Sequence, residues 1–247
     1  MKILTYGNDT RVSSCAAMLS RAELRAPSLM LLPIPVTKDK KHINGTDIEL
    51  ESLLSEMESG MIVAGYDIPR LLRRGSASEF CDVMSDERFL ADNARLTAIG
   101  ALGYILGTAT RAPSDISFAV VGYGRIGREL VRLLLFFGAA VTVYTSKEKT
   151  RLALGELGIR SRLAAYGTGA GELSDIDILI NTAPAPLLCD ADVDKDRVPR
   201  LIELASGDNF PRGAKVERLM SLPGQMYPES AAVAYFASIM RMVGGTV

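Results

Sequence analysis

Short apolar runs and longer amphipathic stretches take turns along this chain, and the period of each decides what it can form. KILTYG (2–7), SLMLLPIP (28–35) and GMIVAGYD (60–67) are short, apolar and bounded by turn residues, which predicts strands. Between them, VSSCAAMLSRAEL (12–24) and IELESLLSEM (48–57) carry helical spacing. Such alternation predicts parallel pairing through right-handed crossovers, so residues 1–85 are expected to form a small three-layer α/β domain. The polar stretch TKDKKHINGTD (37–47) reads as a loop.

From Asp86 the segment DERFLADNARLTAIGALGYILG predicts one long helix with acids in its first turn, where the helix dipole favours them. Gly100, Gly103 and Gly107 fall along one side of it. Each glycine costs a helix interior about 1 kcal/mol against alanine, so the row predicts either close approach of another element or a kinked helix. TRAPSD (110–115) then reads as a hinge, which makes 86–115 an interdomain helix and linker. Alternation resumes with SFAVVG, a helix from Arg125 to Phe137, AVTVYT, KTRLALGELG, DILINTA and RLIELAS. Its inward helix face is expected to hold Ile126, Leu130, Leu133, Leu134 and Phe137. Residues 116–224 are thus expected to form a doubly wound parallel sheet. The end, 225–247, predicts an amphipathic helix with Pro228 at N1 and Ala232, Phe236, Ile239 and Val243 on one face, packing back on the interdomain helix.

Composition narrows the function classes. The 247 residues, 48% hydrophobic, can bury one large core or two small ones, and 28 basic against 29 acidic residues leave no footprint for nucleic acid or anionic lipid. No apolar run approaches the roughly 20 residues that span a bilayer, and MKILTYGND lacks a signal-peptide pattern, so a cytoplasmic location is expected. Cys15, Cys81 and Cys189 are far apart, which predicts reduced thiols and no structural metal.

Gly122, Gly124 and Gly127 make G-x-G-x-x-G directly after an apolar strand and at the opening of a helix. In that context the first glycine makes the turn, the second lets backbone approach a pyrophosphate, and the third lets helix and strand pack closely. The amides of Arg125, Ile126 and their neighbours lie at the positive helix end. A dinucleotide cofactor is therefore expected. Where an Asp or Glu would hold the ribose hydroxyls, this chain has Thr145, followed by Ser146, Lys147, Lys149 and Arg151, with Glu148 among them. Hydroxyls and positive charge suit a 2′-phosphate and favour NADP over NAD. Asn181 and Thr182 end the fourth strand beside the cofactor crevice, with Pro184 and Pro186 stiffening the loop after it.

VGYGRIGREL followed by FGAAVTVY resembles the D-2-hydroxyacid dehydrogenases, whose chemistry uses a histidine–acid dyad. No histidine follows this segment; His42 is the single one and reads as a solvated loop residue. A longer resemblance is to the A subunit of dipicolinate synthase. It runs in order through YGNDTR, MSDERFLADNARLTAIGAL, VVGYGRIG, DIDILINTAPAPLL, LIELASG and LPGQMYPESAA. This resemblance implies an NADP-linked oxidation of a dihydrodipicolinate-type cyclic dicarboxylate in spore-forming bacteria. It also implies a homo-oligomer and a flavoprotein-like second subunit. Candidate substrate residues in the matching segments are Asn8, Arg11, Asn93, Thr97, Gly224 and Ser230. Arg11 is either a carboxylate clamp or a surface arginine, and Asp9 is expected to cap the first helix. Two positions depart from that family's pattern: Glu229 stands where a lysine is common, and ASGDNF (205–210) lacks paired glycines. An acid beside a dianion is repulsive, which points to a different substrate or to lost catalysis. The alternatives are another hydroxyacid- or shikimate-type dehydrogenase, or a non-catalytic dinucleotide-binding subunit.

Overall fold

The apolar runs at 28–31 and 62–65 become strands whose residues are all buried, as central parallel strands require. A computed structural model describes residues 1–24, 26–74, 78–163, 173–184 and 199–244. Strands β1 (Lys2–Thr5), β2 (Ser28–Leu31), β3 (Ile62–Gly65) and β4 (Glu79–Asp82) form an all-parallel sheet in the order 1-2-3-4. Helix α1 (Thr10–Leu19) starts at Asp9, whose carboxylate accepts the Arg11 N–H at 3.0 Å. The segment expected as a second helix is a six-residue 3-10 turn, Leu50–Ser55. Ser52 and Ser55 donate their hydroxyls back to the carbonyls of Glu49 and Ser52 at 2.7 and 2.8 Å, a local competition that disfavours α-helix.

This first compact unit comprises 1–96 together with 223–247. Its closing helix, Pro228–Val243, has Pro in its first turn and buries a broader face than periodicity alone suggests, including Ala231, Tyr235 and Ser238. It packs on α1 and on the start of α2 (Glu87–Thr108), where the Phe89 and Tyr235 rings lie 6.3 Å apart and Arg241 meets Asp86 at 2.6 Å. Tyr235 donates its hydroxyl to the Leu32 carbonyl at 3.2 Å. Helix α2 is unbroken, and the division between units falls within it, after Leu96. A side chain at Gly107 would meet open space, so among the described residues no element approaches the helix there.

The second unit, 97–222, holds a six-stranded parallel sheet. Its strands are β5 (Ser117–Val121), β6 (Ala140–Thr145), β7 (Arg160–Leu163), β8 (Ile178–Asn181), β9 (Arg200–Glu203) and β10 (Val216–Arg218), in the order 10-9-8-5-6-7. Read from the other edge, this is the doubly wound order 3-2-1-4-5-6, with its switch point between β5 and β8. The expected α/β architecture is therefore the one observed. Helix α3 (Arg125–Phe136) buries Gly127, Leu130, Val131 and Leu134. Phe137, expected inside, caps the helix and is 44% exposed, because the chain turns away at Gly138 with φ +74°. Helix α4 (Glu148–Glu156) follows β6. Pro186 and Cys189 lie outside the described residues.

Candidate functional site

Gly122 turns the chain at the end of β5 with φ +87°, and its N–H donates to the Tyr144 carbonyl at 2.8 Å. A Cβ there would lie 2.8 Å from Thr182 Oγ1, and one at Gly127 would fall 2.2 Å from the Gly122 carbonyl oxygen. No side chain fits either place. Gly124 caps α3 and faces open space, and the first helical bond runs from Arg128 N–H to its carbonyl at 3.0 Å. The three glycines thus turn the strand, leave an open approach and pack helix on strand. Arg125 is exposed on the first turn of α3, while Ile126 is partly buried against the core.

Above this loop lies a cleft of about 470 Å³. Its walls are the glycine loop with Tyr123 and Arg128, the end of β6 from Tyr144 to Lys147 with Thr150, and Thr182 to Pro184. Thr145 is buried and its hydroxyl oxygen accepts the Lys147 N–H at 3.3 Å, which shapes the turn into α4. Ser146 and Lys147 are exposed in the cleft. Glu148 is turned to Arg151, whose Nε lies 2.8 Å from its Oε2, and neither lines the cleft. The Arg151 guanidinium holds the Glu148 carboxyl below its ordinary pKa. No described lining residue is acidic, so the charges of Lys147 and Arg128 stand unopposed in the cleft. Arg128 was missed in the sequence, although it lies one helical turn past Gly124 and hence on the same side of α3.

The ends of β8 and β9 support the third wall. Asn181 is fully buried; its Nδ2 donates to the Ala183 carbonyl at 2.8 Å and its Oδ1 accepts the Ala183 N–H at 3.1 Å. The same Nδ2 donates to Glu203 Oε1 at 3.0 Å. Glu203, also fully buried, accepts further bonds from Ala205 N–H at 2.9 Å and Asn209 Nδ2 at 3.0 Å. Burial raises the Glu203 carboxyl above its ordinary pKa, against the lowering pull of these donors. Thr182 donates its hydroxyl to the Val121 carbonyl at 2.7 Å, tying β8 to the glycine turn. Neither Glu203 nor Asn209 carries a motif that sequence reading could find.

In the first unit, Arg11 is no surface arginine: it is 5% exposed. Its Nε and Nη2 meet both carboxylate oxygens of Asp9, Nη2–Oδ2 being 2.6 Å, and Nη2 also donates to the Ile34 carbonyl at 2.8 Å. Gly224 lies against it, since a Cβ there would come 2.7 Å from Arg11 Nε. Asn8 and Ser230 are exposed, Asn93 is half-buried on α2, and Thr97 is buried at the start of the second unit. Glu229 sits exposed in the first turn of the closing helix, where an acid is favoured by the dipole whatever the ligand. His42 stays in an exposed loop, its Nδ1 2.7 Å from Asp39 Oδ2. The Asp39 carboxyl is held below its usual range, first by the His42 backbone N–H. Among the described residues no cluster could hold a metal ion, and no helix is long and apolar enough to cross a membrane.

The doubly wound sheet, with a glycine turn and a cleft at its switch point, is the Rossmann-type dinucleotide-binding architecture, here in a chain that also carries a second parallel α/β unit. In fold, the chain is similar to the A subunit of dipicolinate synthase from Bacillus halodurans, with 19% identity, a TM-score of 0.81 and coverage of 98% of this chain and 97% of that one. It is also similar to the dipicolinate synthase A chain from Bacillus subtilis, at 17% identity, TM-score 0.79 and coverage of 99% and 96%. A D-isomer specific 2-hydroxyacid dehydrogenase from Lactobacillus delbrueckii ssp. bulgaricus, in its NAD-complexed form, matches more loosely, at 12% identity, TM-score 0.54 and coverage of 100% and 98%. No family model and no curated protein matches the sequence. The resemblance read from the sequence segments is thus a resemblance of fold over nearly the whole chain.

Proposed function

We propose that this chain is an NADP-linked oxidoreductase acting on a small cyclic dicarboxylate, in the manner of the dipicolinate synthase A subunit. The observation that carries the cofactor half is the cleft at the end of β6, where Thr145, Ser146 and Lys147 stand and Glu148 is turned away. A carboxylate there would bind ribose hydroxyls and repel a 2′-phosphate; hydroxyls and an ammonium do the opposite. The substrate half is supported by the fold likeness, with Arg11, Gly224 and Asn8 proposed as its carboxylate contacts and Asn93, Thr97 and Ser230 as further candidates. The proposed setting is the cytoplasm of a spore-forming bacterium, with self-association and a flavoprotein-like second subunit.

One observation favours a second reading, a non-catalytic dinucleotide-binding subunit. Asp9 already neutralises Arg11, which weakens it as a clamp for a dianion. Thermal melting and turnover separate the two. NADPH at millimolar concentration is expected to raise Tm more than NADH does, and Ser146→Ala/Lys147→Ala is expected to erase the difference with a loss of about tenfold or more in NADPH affinity. A preference for NADH that the double substitution leaves unchanged would sink the NADP reading. Cofactor binding without turnover of the dihydrodipicolinate-type substrate would put the non-catalytic reading ahead.

A further inference from the structure

The cleft holds a second cation that the end of β6 does not supply. Arg128, in the first turn of α3, lines it together with Lys147, Ser146 and Thr150. Its neighbours are spoken for: Arg132 pairs with Glu129 and Arg151 with Glu148, each with an acid one turn earlier, at 2.8 Å between Nη2 and Oε2 in the first and between Nε and Oε2 in the second. One turn before Arg128 stands Arg125, a residue of its own sign, and among the described residues no carboxylate pairs with Arg128. Its Nε donates to the Tyr123 carbonyl at 3.3 Å and its guanidinium lies 5.9 Å from the Tyr123 ring centroid. The side chain is thereby held on the glycine loop, with both terminal nitrogens left to form a fork. A planar fork matches a phosphate better than a point charge does.

We propose that Arg128 is a specificity-determining residue that, with Lys147, grips the adenosine 2′-phosphate, so that the choice of coenzyme is set from α3 as well as from the β6 turn. This rests on the NADP reading of the same cleft. Two cations on different elements, the hydroxyls of Ser146 and Thr150 and, among the described lining residues, no carboxylate fit a dianionic phosphomonoester, whereas the pyrophosphate is already served by the glycine loop and the helix end.

The test measures affinities of the full-length protein and of Arg128→Gln for NADPH, NADH, 2′,5′-ADP and 5′-AMP by calorimetry. Arg128 is exposed, so the variant is expected to keep the Tm of the unliganded protein. Loss of one charge-assisted contact should weaken NADPH and 2′,5′-ADP about tenfold or more while NADH and 5′-AMP stay within about twofold. The salt dependence of NADPH binding should fall in the variant, and Arg128→Lys should recover part of the loss. An equal loss for all four ligands would assign Arg128 to the adenine or the pyrophosphate and overturn the proposal. So would unchanged NADPH affinity in a protein that still prefers NADPH, an outcome that leaves the NADP reading standing. If the unmodified protein binds no NADPH, the NADP reading itself fails and this inference with it.

Discussion

Asp9 and Arg11 are two residues apart, and their pairing shows how a charged group can be internal without being a free binding site. Asp9 serves twice, accepting the Arg11 backbone N–H as helix cap and meeting its guanidinium with both oxygens. With Arg11 5% exposed, water cannot replace a missing partner. Asp9→Ala is therefore expected to cost about 3–5 kcal/mol in urea denaturation, since it strands a buried cation. Asp9→Leu combined with Arg11→Met should recover most of that, and a double-mutant cycle reads the coupling. Additive single losses would show that Arg11 finds water or another acceptor. The cap was readable from an Asp before an amphipathic stretch. The burial was not, because it depends on the Ile34 carbonyl, 23 positions away in the chain.

Among the strands, the central ones were legible as apolar runs, and β1, though at an edge, was legible through its apolar KILT. β2, β3, β5, β6 and β8 are continuous apolar runs, and the glycine spacing fixed where α3 begins. β4, β7 and β10 escaped notice because edge strands bury little: Arg160–Leu163 is largely exposed, and EFCD and VER carry charges in place of an apolar run. The cleft divides in the same way. Its glycines and the β6 end followed from local pattern, while Arg128 lines it, and Glu203 and Asn209 brace Asn181 behind its wall, only through packing. A comparable long-range tie holds the opening of the sheet: Asp177 at the start of β8 accepts the Ser117 N–H and hydroxyl, both at 2.8 Å, and pairs with Arg111 at 2.8 Å. The Ser117 backbone bond first, then Arg111, lowers its pKa to about 2. A folded value below the unfolded one, near 3.9, means its contribution is full above about pH 4 and is lost as pH falls towards 2. Asp177→Asn is expected to lower stability near neutral pH by about 1 kcal/mol and to flatten the acid limb of a denaturation series. An acid limb as steep as the parent's would assign it to other carboxylates.

At the scale of the molecule, the buried apolar clusters among the described residues fall two in 1–96 with 223–247 and two in 97–222, so each unit has its own core. The first carries built-in reporters. Cys15 and Cys81 are 0% and 4% exposed, and burial pushes their thiols up to about 12 and about 11, with Glu79 adding to the second. Near pH 8 both stay protonated in the folded state, so a thiol reagent labels them through opening of that core. Cys189→Ser removes the third thiol. NADPH at a hundred times its Kd stabilises whatever core binds it by about 2.7 kcal/mol, roughly a hundredfold in opening. If the cleft of 97–222 is where it binds, amide exchange in β5, β6 and β8 should slow by that factor while labelling of Cys15 and Cys81 keeps its rate. Slowing of the thiols by the same factor would mean that the two cores open together, and that helix α2, which runs from one unit into the other, makes a single cooperative fold of them.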